Sequence, residues 1–111
     1  MNLTLQRSEH FNQDFELQYK WYLENAGREV AEDYFATVIA TMDRLLAQPD
    51  LGRRRAFQHP ELTGMRSLPL TSPFSVHLIF YRLTSEEIFA ERLMHGMRDL
   101  PRRLMEPPGK T

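Results

Sequence analysis

Apolar side chains recur at spacings of three and four through the first half of the chain and at alternate positions through much of the second, which predicts a helical half followed by a stranded one. Leu3 and Leu5 alternate with polar neighbours, as in a short opening strand. Ser8 stands where it can cap a helix over residues 9–26, whose apolar stripe is Phe11, Phe15, Tyr19, Tyr22 and Ala26. Gly27 breaks that stripe. A second helix over residues 28–48 carries Ala31, Tyr34 or Phe35, Val38, Met42 and Leu45 on one side and ends before Pro49. A one-residue connection makes the pair an antiparallel helical hairpin.

The character changes over residues 49–60, where turn-forming Pro49, Gly52 and Pro60 flank Arg53, Arg54 and Arg55; this predicts a loop between hairpin and sheet. Three strands follow. Residues 65–70 include Pro69, which pushes that strand toward an edge. Residues 76–83 are apolar on both alternating faces, as in a central strand covered on both sides. Residues 84–87 turn the chain, and residues 88–95 return as the hairpin partner. The expected fold is α+β: an N-terminal strand and an antiparallel helical hairpin packed on one face of a largely antiparallel four-stranded sheet. One domain is expected over residues 1–105, with a disordered tail over residues 106–111, where Pro107, Pro108 and Gly109 gather.

Length supports one core only, since 111 residues are too few for a cofactor domain plus a substrate domain. The absence of cysteine excludes a disulfide framework and a thiolate metal site. No basic leader with a long apolar run opens the chain, and nothing approaches the roughly 20 apolar residues of a membrane span. These features lead to the expectation of a soluble cytoplasmic protein without membrane contact. The net charge of −1 hides a polarity: residues 1–50 hold four bases against nine acids, and residues 51–111 hold ten bases against six. Twelve of the fourteen bases are arginine, whose planar fork suits carboxylate and phosphate.

The aromatics of the hairpin fall at helical spacing, which assigns them to the core; Trp21 alone lies off the Phe11 stripe and is free to cover an edge or meet a partner. The triple arginine suits phosphate, an acidic protein segment or plain solvent. His10, His59, His77 and His95 have no metal-ligand spacing, and His77 among apolar strand neighbours reads as a satisfied sheet histidine. Glycine-rich phosphate loops, nucleophile elbows and paired-carboxylate motifs are absent from the sequence.

Five segments in order carry a resemblance: Trp21-Tyr22, the run from Leu45 and Leu46 through Pro49 to Gly52, Leu62-Thr63-Gly64-Met65-Arg66, Leu78-Ile79-Phe80-Tyr81-Arg82 and His95-Gly96-Met97-Arg98-Asp99-Leu100. Together they resemble the RelE/ParE superfamily of bacterial toxins over about residues 5–104. The histidine followed by an arginine-containing turn after the last strand is nearer the ParE branch. That branch implies the toxin of a type II toxin-antitoxin system, a plasmid-stabilization type of function, inhibiting DNA gyrase and neutralised by a ParD-like antitoxin. It also implies contact with operator DNA only through the antitoxin. The RelE branch implies instead a ribosome-dependent mRNA endonuclease, with Arg66, Arg82 and His95 at positions where that branch carries its catalytic groups. A third possibility is a non-toxic homologue that binds antitoxin and regulates its operon.

Two features depart from the nuclease pattern. Gly96 stands where several RNA-cleaving relatives carry an aromatic, and the chain lacks the basic balance of a protein that docks on ribosomal RNA. Under the ParE reading His95, Arg98, Arg102 and Arg103 are expected to face the target. Leu17, Trp21 and Leu46, which lie off the helical stripes, and Arg53, Arg54 and Arg55 are expected to face the antitoxin. No catalytic residue, cofactor or metal is expected in that case.

Overall fold

A computed structural model describes residues 3–96 and 100–109. The chain runs β1 (Thr4–Arg7), α1 (Glu9–Asn25), α2 (Arg28–Ala47), β2 (Arg53–Arg54), β3 (Arg66–Pro69), β4 (His77–Leu83), β5 (Glu87–His95) and α3 (Leu100–Met105). One sheet holds the strands in the order β1-β5-β4-β3-β2, with β1 parallel to β5 and the other pairs antiparallel. The sheet therefore has five strands where the sequence predicts four. Arg53 and Arg54, expected in a loop, pair with Ser67 and Arg66 as the outermost strand. Two residues are too few to show an alternation, so this strand leaves no periodic trace in the sequence.

The helical hairpin forms where the apolar spacing predicts it. Ser8 Oγ accepts from Phe11 N at 2.9 Å and donates to Glu91 O at 2.7 Å, so one hydroxyl caps α1 and ties it to β5. Gly27 takes φ +97°, a conformation that lets the chain reverse over Ala26 and Gly27. Of the alternative core positions on α2, Tyr34 is fully buried and Phe35 is half exposed. Phe11, Tyr34, Val38, Met42 and Leu45 pack on Ile79, Tyr81, Ile88, Ala90 and Leu93 of the sheet. The opposite face of β4 is covered too: Phe80 lies with Leu62, Met65, Met94, Leu100 and Leu104 in a second apolar cluster. The central-strand reading of β4 holds for that reason.

Pro69 sits in an inner strand without breaking it. β2 covers only Arg66 and Ser67, so Pro69 faces β4 alone and withholds no ladder bond on its other side. Helix α3 is absent from the sequence prediction, although Leu100 and Leu104 stand at helical spacing and Pro101 fits a first turn. Beyond it, the Glu106 carbonyl accepts from Arg92, and Pro107 and Gly109 line a cleft beside α1. No helix among the described residues is long and apolar enough to cross a membrane.

Candidate functional site

Strand β5 is the element around which the site residues gather. β1 accompanies it only as far as Ala90, and the Ser8 backbone and then side chains take over the exposed edge. Ser8 N donates to Ala90 O at 2.9 Å, Asp14 Oδ2 accepts from Leu93 N at 3.0 Å, and Arg103 Nη1 donates to His95 O at 3.1 Å. Asp14 also holds Arg92, through Nε to Oδ2 at 2.8 Å and Nη2 to Oδ1 at 3.0 Å, with both side chains about 6–7% exposed. The third nitrogen of Arg92, Nη1, donates to the carbonyls of Arg103, Leu104 and Glu106. One guanidinium thus fastens α3 by its C-terminal carbonyls, α1 by a carboxylate, and both to β5. Sequence reasoning assigns neither Asp14 nor Arg92 a role; an arginine amid the apolar residues of β5 is the one available signal.

A cleft of about 370 Å³ opens above this clamp, lined by Leu17, Trp21, His95, Arg103, Pro107 and Gly109 among others. Leu17 and Trp21 are each about half exposed on α1. Leu46, grouped with them by sequence, is exposed on α2 and lies elsewhere: it falls opposite Ser8 in the hairpin, roughly 14 Å along the axis from Leu17. The target-facing set is brought together in part. His95 and Arg103 share the cleft, Arg102 lies 3.5 Å from Glu106 across a helical turn, and Arg98 lies outside the described residues. Gly96 N donates to Val76 O at 2.7 Å, and a Cβ on Gly96 would stand 2.9 Å from Leu78 Cδ1. An aromatic side chain there requires Leu78 to move.

Arg66, Arg82 and His95 do not converge. Arg66 stands opposite Tyr81 on the hairpin face, and Arg82, one residue on along β4, points to the other face. His95 pairs with His77, five residues from Arg82 along β4 or about 16 Å. Both arginines are also engaged. Arg66 Nη1 donates to Gly52 O at 2.9 Å and Asp50 O at 3.3 Å, beside Tyr81, whose hydroxyl accepts from Gly52 N at 2.8 Å and donates to Pro49 O at 2.9 Å. Arg82 donates to Thr63 O and Glu61 O and pairs with Glu91 at 2.8 Å. Burial raises the Glu91 carboxyl more than Arg82 lowers it.

Arg53 and Arg54 are exposed, whereas Arg55 packs inward: its guanidinium lies over Phe57 and Phe80 and donates to Ser67 Oγ at 3.0 Å. Arg54, Arg55 and Arg66 line a second cleft, of about 600 Å³, together with Thr63, Gly64 and Leu83. No group of three or more His, Cys, Asp or Glu side chains among the described residues is placed to hold a metal ion.

His77 is buried and linked to Tyr22 Oη through Nε2 at 2.8 Å, with the His95 ring 5.8 Å away. Desolvation, then the nearby His95, lowers its pKa from 6.5 to about 4. The unfolded chain therefore takes up this proton before the folded one does. Stability falls as pH drops from 6.5 to 4, by about 3 kcal/mol from this group alone. Urea melts across that range should be steeper in pH for the wild type than for His77→Gln; equal slopes contradict the assignment.

With this geometry in place, the likenesses to other proteins gain meaning. Residues 5–100 match the family model described as ParE toxin of type II toxin-antitoxin system, parDE. The chain is similar in structure to the chromosomal ParDE toxin-antitoxin system from P. aeruginosa, at 20% identity and a TM-score of 0.69, covering 86% of this chain and 97% of that one. It is also similar to a chain of the E. coli DinJ-YafQ toxin-antitoxin complex, at 16% identity and a TM-score of 0.47, covering 86% and 93%. No curated protein sequence matches it. The family match begins in β1 and ends where α3 starts, spanning the hairpin, strands β2 to β5 and the second cleft, and the chain belongs to the ParE toxin family of type II toxin-antitoxin systems.

Proposed function

We propose that the chain inhibits DNA gyrase by binding it, without chemistry of its own, and is neutralised by a ParD-like antitoxin. Membership of the ParE toxin family supports the reading of a toxin held by an antitoxin. The observation that carries the binding mechanism is the dispersal of Arg66, Arg82 and His95. General acid-base cleavage of RNA needs a base, an acid and a cation within hydrogen-bond reach of one phosphate. Here two of the three hold backbone carbonyls on opposite faces of the sheet, and the third lies at the other end of β4.

His95, Arg103 and the tail of the domain form the surface we assign to the target, continuous with Leu17 and Trp21 on α1. Arg102 extends it in this reading, and Arg98, outside the described residues, is assigned to the target on its sequence alone. The antitoxin covers Leu17 and Trp21, where large apolar side chains stand exposed. Operator DNA is met only through that antitoxin. The direct test is to add the purified chain to gyrase and relaxed plasmid. Supercoiling should stop, and should resume when a ParD-like antitoxin that binds the chain is added. Unimpaired supercoiling, with cleavage of mRNA on ribosomes, overturns the proposal.

A further inference from the structure

The second cleft is unexplained by the clamp around β5, and its electrostatics are unusual. Arg54 and Arg66 are direct cross-strand neighbours in the β2–β3 pair, an arrangement that destabilises a sheet when both residues carry the same charge. Arg55 lies beside them, and no carboxylate lines the cleft among the described residues. Arg54 makes no hydrogen bond or ion pair among the described residues. A fixed anion from outside would convert this repulsion into attraction.

The shape of the edge narrows what that anion is. β2 is the outermost strand. Arg55 N donates to Met65 O at 2.9 Å, so alternation turns the N–H and C=O of Arg54 away from the sheet. An extended chain laid against Arg54 can bond to that backbone while its side chains reach the cleft. Thr63 and Gly64 form the opposite wall, held by Arg82 through the Thr63 carbonyl. Nucleic acid fits less well: the whole chain carries −1, and a patch of three arginines is far short of the basic stripe that phosphate tracking requires.

We infer that the β2 edge is a docking strand for an acidic, extended peptide segment whose carboxylate sits between Arg54 and Arg66. Resting on the proposed function, this assigns the segment to the antitoxin and gives it an anchor distinct from Leu17 and Trp21. It also divides the triple arginine: Arg53 and Arg54 meet the partner, and Arg55 supports the cleft from within.

Amide chemical shifts of the full chain, titrated at low salt with an alternating Glu-Val octapeptide, provide the test. Amides of residues 53–56 and 64–67 should move, and Arg54→Glu should bind the peptide about tenfold or more weakly. Arg54 is exposed and Glu opposite Arg66 removes the like-charge pair, so this variant should melt at or above the wild type. Shifts confined to the β1 edge, or unchanged binding by Arg54→Glu, overturn the inference. Tighter binding of an octathymidylate to the same amides overturns it in favour of nucleic acid. The proposed function is separable: if a ParD-like antitoxin captures Arg54→Glu as fast as the wild type, only this surface is wrong, whereas failure of ParD-like antitoxins to capture the wild type defeats the antitoxin reading itself.

Discussion

Asp14→Ala should destabilise the domain more than any exposed substitution, by about 3–5 kcal/mol, the usual result of removing one partner from a buried ion pair. Against a total of about 5–15 kcal/mol for a domain of this kind, that is a large fraction. Three bonds go at once: two to Arg92 and one to Leu93 N. Arg92 then keeps only the carbonyls at the end of α3, and its charge stays buried without a counterion. The loss should appear as a fall in Tm of about 10 °C or more. Because one guanidinium joins both helices, the damage should also reach α3, which is tied to Asp14 through Arg92, 78 residues from Asp14 in sequence. Amide exchange over residues 100–106 should speed up more than at the far end of α2. Adding Arg92→Ala to Asp14→Ala should cost less than the sum of the two, since the orphaned charge is then gone. A Tm within a degree or two of wild type for Asp14→Ala contradicts this account of the clamp.

The same clamp changes what truncation can show. Removing residues after Gly96 deletes Arg98, Arg102 and Arg103, but also Leu100 and Leu104, which are buried against Phe80 and Met94. Loss of toxicity in such a variant reports folding as well as contact. Point substitutions in the His95 cleft separate the two.

The long apolar stripes made the hairpin legible because each helix repeats its pattern several times over, and the two-sided apolar run of β4 reported its central place for the same reason. What escaped the sequence was short or non-local. β2 is two residues long, α3 is six, and the bonds from Asp14 to Arg92 and from Arg66 to Gly52 join segments that only the folded sheet brings together. The candidate site divides along the same line. Leu17 and Trp21 were readable as residues off an apolar stripe, and they share a surface with His95. Leu46 met the same criterion and lies elsewhere, because a position off the stripe says that a side chain faces outward and not in which direction. The run of arginines looked uniform, and only pairing with β3 distinguishes the inward Arg55 from Arg53 and Arg54.

His95→Ala divides the two mechanisms by the largest margin. In a nuclease, loss of a general acid or base costs ~10²–10⁴-fold in rate, enough to abolish toxicity. In a binding toxin the imidazole is one contact among several, and its backbone carbonyl still accepts from Arg103. The side chain is exposed at the end of β5, so the variant should fold and bind antitoxin normally. The decisive measurement is the order in which DNA synthesis and protein synthesis stop in bacteria after induction of the wild-type and His95→Ala chains, followed by incorporation of labelled thymidine and methionine. DNA synthesis should stop first with both chains while messenger RNA stays intact; an early arrest of translation with cleaved messenger RNA that disappears in His95→Ala contradicts a gyrase-binding toxin.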